Sequence, residues 1–252
     1  MPLVRDQAVC LHVLPYSETS QIVSLLTREH GRIRLIAKGA IRRTKAGKSN
    51  FDGGLDLLDS GDAVFSHAPE RDLSILTEWR LRDGHLALRG DLRAMYLGLY
   101  AAELVERLLE EQDAHPRLFD QFERLLVRLA EPESREAVSL AFSLNLLRQV
   151  GVLPDFARCA GGTPVQAATR IAFSPRMARL VCDEQVEETP DALPLPRAAL
   201  EAISSLLRLA RAGGTLPVID RARADEANRL IIAHVQEQSS ARLRTARYVL
   251  RG

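Results

Sequence analysis

The chain has 252 residues, enough for one large domain or two smaller ones around a well-buried core. Its 46% apolar and 27% charged residues are ordinary for a globular protein, and it contains no run of about 18 apolar residues, so no transmembrane helix is expected. The net charge of +1 is unevenly spread, with +1 in residues 1–80, −5 in residues 81–196 and +5 in residues 197–252, which points to separate surfaces for separate partners. The first residues lack the basic start, apolar centre and small-residue cleavage site of a signal peptide, so a cytoplasmic chain is expected. Cys10, Cys159 and Cys182 are odd in number and far apart, and do not read as a disulfide framework.

Residues 7–14 place Val9, Leu11 and Val13 on one face and read as a first strand. Pro15-Tyr16-Ser17-Glu18 makes a turn, and residues 21–27 read as a second strand. In the next segment Ile33, Leu35 and Ala37 alternate with Arg32, Arg34 and Ile36, the period of a half-buried strand with one apolar and one basic face. Gly39 then lets the chain turn into a loop. Between residues 31 and 49 stand Arg32, Arg34, Lys38, Arg42, Arg43, Lys45 and Lys48, with no acidic residue among them. The three lysines of the whole chain all fall here, against 31 arginines overall. A block of like charge repels itself unless something negative sits on it, and phosphate is the commonest such partner. A solvated basic loop without a ligand is the blander alternative.

Residues 55–65 read as a strand that bends or splits at Asp59-Ser60-Gly61-Asp62, and residues 73–81 complete the set. Five short strands without helical periodicity predict a small antiparallel barrel or sandwich, of which the oligonucleotide-binding (OB) barrel is the commonest that presents loops to single strands. Of the aromatics here, Phe65 and Trp79 read as core, while Tyr16 and Phe51 lie in loops where they are freer to stack on bases.

The period changes near residue 89. Leu97, Ala101, Leu104 and Leu108 recur at helical spacing, as do Leu118, Phe122, Leu125 and Leu129, and then Val138, Phe142, Leu146 and Val150 before Gly151 and Pro154. After an irregular stretch, residues 197–211 and 220–238 read as two more helices, the second capped by Asp220. The domain boundary is placed near residue 82. The closing residues 241–252 carry Arg242, Arg244, Arg247 and Arg251, and read either as part of a nucleic-acid surface or as a solvated terminus.

Ala46-Gly47-Lys48-Ser49 looks like the end of a phosphate-binding loop, but that motif needs glycine where Arg42 stands. Cys159 and Cys182 are two of the four ligands that a structural zinc normally takes, and Gly162 and Gln185 stand where partner cysteines would follow them. Bound zinc is therefore not expected. No nucleophile elbow, metalloprotease helix or facing carboxylate pair is present, and an enzyme is not expected.

The chain resembles the bacterial recombination mediator family RecO over essentially its full length. The resemblance rests on the Ser17-Glu18-Thr19 turn, on Gly31-Arg32 followed by Ala37-Lys38-Gly39-Ala40 and Arg42-Arg43, on Tyr96 and Glu103, on the Leu146-Leu147, Gly151 and Pro154 run, and on the ending near residues 241–250. It implies an α+β protein: an N-terminal five-stranded OB barrel over residues 1–82, then an all-helical domain over residues 83–252. Within the latter, residues 155–190 would form a small zinc-finger-like insertion, degenerate because Cys159 and Cys182 are remnants of a fuller ligand set. It also implies a non-enzymatic, nucleoid-associated protein without cofactor. Such a protein binds single- and double-stranded DNA, anneals complementary strands and works with RecR to load recombinase. It also touches the acidic C-terminal tail of single-strand-binding protein. Arg32, Lys38, Arg42 and Arg43 match the family pattern best as DNA contacts, with Arg34, Lys45 and Lys48 beside them. The competing reading is an interaction scaffold whose basic surfaces hold acidic peptides, since arginine serves carboxylates as well as phosphates.

Overall fold

A computed structural model describes residues 3–40, 50–52, 55–66 and 74–251. The chain forms two compact units, Met1–Ala130 and Glu131–Gly252. The first contains β1 (Leu3–Pro15), β2 (Gln21–Thr27), β3 (Gly31–Ala37), β4 (Phe51–Asp52), β5 (Ser60–Ser66), β6 (Ser74–Asp83), α1 (Leu86–Arg89), α2 (Leu92–Leu108) and α3 (Pro116–Arg128). Five strands pair in the order β3-β2-β1-β5-β6, each antiparallel to its neighbour. β3 then pairs in parallel with β6, Leu35 opposite Ser74 and Ala37 opposite Leu76, so the hydrogen-bonded order returns to its starting strand. The short β4 lies along the remainder of the same β6 edge, Phe51 opposite Trp79.

Alternation sends Leu25, Ile33, Leu35, Phe65, Leu76 and Trp79 into one buried cluster. In β1 the residues facing that cluster are Ala8 and Cys10 and then, beyond an irregularity between Cys10 and His12, Val13. Such a bulge shifts the alternation by one residue. It is why Val9 and Leu11, read from sequence as facing inward with Val13, lie outside the cluster although both are buried. Residues 55–59 also differ from the sequence reading. Leu58 adopts a left-handed φ of 65°, and the Asp59 carboxylate accepts the Asp56 N–H at 2.8 Å. This makes a turn, and the strand opens at Ser60 rather than splitting there.

α2 starts where the Asp91 side chain accepts the Ala94 N–H at 2.9 Å, and α3 starts with Pro116 in its first turn, both favourable helix openings. α2 packs on β1 and α3 on β2. Arginines tie these helices to the strands. Arg28 gives two hydrogen bonds to Asp120, each 3.1 Å, and this holds the Asp120 carboxyl below its usual range. Arg89 donates to the carbonyls of Gly84 and Leu57, both at 2.7 Å, and to Asp59 at 2.9 Å. Burial nonetheless pushes the Asp59 carboxyl up.

The second unit contains α4 (Arg135–Gln149), β7 (Asp155–Cys159), β8 (Ile171–Ser174), β9 (Arg179–Cys182), α5 (Glu184–Glu188), β10 (Leu193–Pro194), α6 (Arg197–Ala212), α7 (Arg221–Ser239) and α8 (Ala246–Arg251). α6 and α7 pack on each other and on α4, which is buried on nearly every side. The stretch read as irregular holds a four-stranded sheet, β10-β8-β9-β7. β7 and β9 are neighbours in it, which brings the Cα atoms of Cys159 and Cys182 to 5.9 Å, and the two are joined as a disulfide. That separation is ordinary for such a bond. The sequence reading, which expects no disulfide, is corrected: two of the three cysteines pair, and Cys10 stays free and buried.

Two outcomes follow. Gly31 has φ +69°, and a Cβ on it would lie 2.2 Å from the Asp113 carbonyl oxygen. Gly31→Ala should therefore cost about 2 kcal/mol or more, read as a lower midpoint in urea with an unchanged slope. His234, 1% exposed, donates from Nε2 to the Val152 carbonyl at 2.7 Å, which leaves Nδ1 buried without a partner among the described residues. Burial holds its pKa below the ordinary imidazole value. The unfolded chain then takes up the proton first, so stability is full above pH about 6.5 and falls on acidification below it. His234→Gln should flatten that fall between pH about 6.5 and 5 in urea titrations, leaving the part that belongs to the likewise depressed His85.

Candidate nucleic-acid interface

β3 presents its basic face as the sequence alternation requires: Arg34 and Lys38 are exposed, while Ile33, Leu35 and Ala37 point into the core. Neither Arg34 nor Lys38 has an ion-pair partner among the described residues. Arg32 behaves differently. Its Nε donates to the Leu109 carbonyl at 3.1 Å and its Nη1 to Glu111 at 3.1 Å, and only 14% of its side chain is exposed. The Gln112 N–H returns a bond to the Arg32 carbonyl at 2.9 Å, so the chain leaving α2 runs as an extra rung beside β3. Arg32 thus ties the basic strand to the helices, whereas Arg34 and Lys38 are offered to solvent. Arg42, Arg43, Lys45 and Lys48 lie outside the described residues.

The aromatics sort differently from the sequence reading. Phe65 and Trp79 are core, at 0% and 1% exposure, but Phe51 is buried too, because β4 seats it beside β6. Tyr16 stays 61% exposed in the turn between β1 and β2. The register sets Pro15 opposite Gln21 and Gln21 opposite Ala37, so Tyr16 and Lys38 both lie just past the same end of the ladder. Two strand spacings separate them, about 10 Å. Arg34, Lys38 and Tyr16 together provide two cations and one open ring, the elements of a single-strand contact.

Among the described residues no group of three or more His, Cys, Asp or Glu could hold a metal ion. Cys159 and Cys182 spend their sulfurs on each other, and a pair of linked sulfurs does not supply a tetrahedral zinc site. No helix among the described residues is long and apolar enough to cross a membrane.

Residues 1–85 match the family model described as Recombination protein O N terminal, and residues 89–247 match Recombination protein O C terminal. The chain belongs to the RecO family. Relatives named DNA repair protein RecO include one from Anaeromyxobacter dehalogenans, 29% identical over 99% of this chain and 96% of its own length. Another, from Myxococcus xanthus, is 32% identical over 91% of both chains. A third, from Rhodopirellula baltica, is 32% identical over 81% of this chain and 73% of its own. The role of this RecO-family chain is accordingly in DNA repair and recombination.

The different settings of neighbouring arginines separate two effects. Arg32→Ala should lower stability by about 2 kcal/mol, through loss of charge-assisted bonds to Leu109 and Glu111. Arg34→Ala should leave stability within about 0.5 kcal/mol of the parent. Thermal and urea unfolding of the two variants check this.

Proposed function

We propose that the chain is a non-enzymatic recombination mediator that binds single- and double-stranded DNA without regard to sequence and anneals complementary strands. With RecR it helps load recombinase onto DNA coated by single-strand-binding protein, whose acidic tail it contacts. The observation that carries the DNA-binding part is the pair of exposed cations, Arg34 on β3 and Lys38 in the turn just after it, without an ion-pair partner among the described residues, beside a strand face packed into the core. The strand order supports reading the first unit as an OB barrel, the architecture that presents such a surface to single strands.

The mechanism is electrostatic. Cations along β3 and the loop after it neutralise phosphates on two strands, lower their mutual repulsion and let bases pair. Phosphate contacts carry no sequence information, so binding is indifferent to sequence. Each contact releases counterions, and affinity falls with salt by a log–log slope of about 0.7 per single-strand contact. With Arg32 engaged internally, six cations of the segment remain, for a slope of about −4.

The test is fluorescence anisotropy of a labelled single-stranded oligonucleotide at several salt concentrations. Arg34→Glu with Lys38→Glu should weaken binding by about tenfold or more at low salt and shrink the slope by about 1.4, with the fold intact by circular dichroism. Unchanged affinity in the folded variant would remove β3 from the DNA surface and favour a scaffold for acidic partners.

A further inference from the structure

A cleft of about 500 Å³ opens in the first unit where the ends of β5 and β6 meet α3. It is separate from the basic strand. Arg82 is six residues along β6 from Leu76, the nearest of the three residues paired to β3, a distance of roughly 20 Å along an extended strand. Arg82 and Arg124 line the cleft, are exposed and form no ion pair among the described residues. Arg128 lines it as well.

The floor is neutral and fixed. His85 Nε2 lies 2.9 Å from the Ser60 hydroxyl, and both residues are buried. Asp83 also lines the cleft, its half-exposed carboxylate accepting the His85 backbone N–H at 2.7 Å and lying 3.6 Å from Nδ1, so it adds an anion at the mouth beside the arginines. Val127 gives an apolar wall and is 57% exposed, unusual for a valine on a helix that otherwise buries its apolar face. Glu123 remains as a carboxylate in a basic setting.

A ligand suited to this lining carries anionic groups for the arginines, a flat apolar face for Val127 and N–H donors for Glu123. An unpaired nucleotide has all three: phosphate, base face and the exocyclic amine of adenine, cytosine or guanine. An acidic peptide satisfies the arginines, but an acidic side chain carries no flat face with its own N–H donors beside the anion, as a nucleobase does. A duplex hides its base faces and is too wide to enter a cleft of this volume. We propose that this cleft is a second nucleic-acid site that takes unpaired nucleotides of single-stranded DNA, while β3 contacts phosphates of either form. The inference rests on the DNA-binding reading above and adds single-strand selectivity to it.

The experiment measures full-chain affinity for a labelled mixed-sequence single strand and for a duplex of the same sequence. Arg82→Glu with Arg124→Glu should weaken single-strand binding by about tenfold and reduce its salt slope by about 1.4, with duplex affinity moving less than about twofold. Arg34→Glu with Lys38→Glu should weaken both forms. Equal loss on both forms in the cleft variant, or no loss on either while the parent binds, overturns the cleft assignment and leaves the β3 reading standing. Failure of the parent to bind either oligonucleotide at low salt overturns both. A cleft variant that keeps both DNA affinities but loses an acidic, apolar-ended peptide bound by the parent makes the cleft a peptide site instead.

Discussion

The parallel pairing of β3 with β6 is the constraint on which the first unit depends. Four antiparallel ladders alone would leave β3 as an open edge, with unpaired backbone groups beside its basic face. Three paired residues at its far end satisfy part of that edge, and Gln112 with Glu111 satisfies the near end. β3 is therefore held on one side along its length by β2 and on the other at both ends. The strand's pairing fixes where its cations leave the sheet, and a flat array of cations suits an extended anion best when those positions are set. Gly31 makes the near contact feasible, because the backbone of Asp113 passes where any side chain would stand.

Arginine serves two purposes in this unit, and chemistry alone does not distinguish them. Arg28, Arg32 and Arg89 reach across to carbonyls and carboxylates of other elements and fasten helices to strands. Arg34, Arg82 and Arg124 face water. The planar guanidinium suits both tasks, since it can satisfy several acceptors in a buried corner and can also grip a phosphate edge-on. A chain with 31 arginines and three lysines has the raw material for both, and its near-zero net charge reflects how many of those cations are matched by carboxylates.

Much of this was legible in the residues. Period-two alternation located β3, the apolar run of residues 21–27 located β2, and the apolar spacing of Leu118, Phe122 and Leu125 located α3. What escaped depended on partners distant in sequence. Nothing near Arg32 shows that its acceptors stand 77 and 79 residues away. Phe51 looked like a loop residue because β4 is two residues long and exists only through β6. The sheet of the second unit was invisible because its strands run from two to five residues, too short to establish a period. The cleft at Arg82 is assembled from β5, β6 and α3, and no local pattern announces it.

The bond between Cys159 and Cys182 closes a loop across a sequence separation of 23 residues in the small sheet of the second unit. The bond adds a covalent tie to a sheet whose strands are each no more than five residues long. Its integrity then follows the thiol–disulfide balance around it: a strong dithiol would convert the staple into two free thiols and return the loop's conformational freedom.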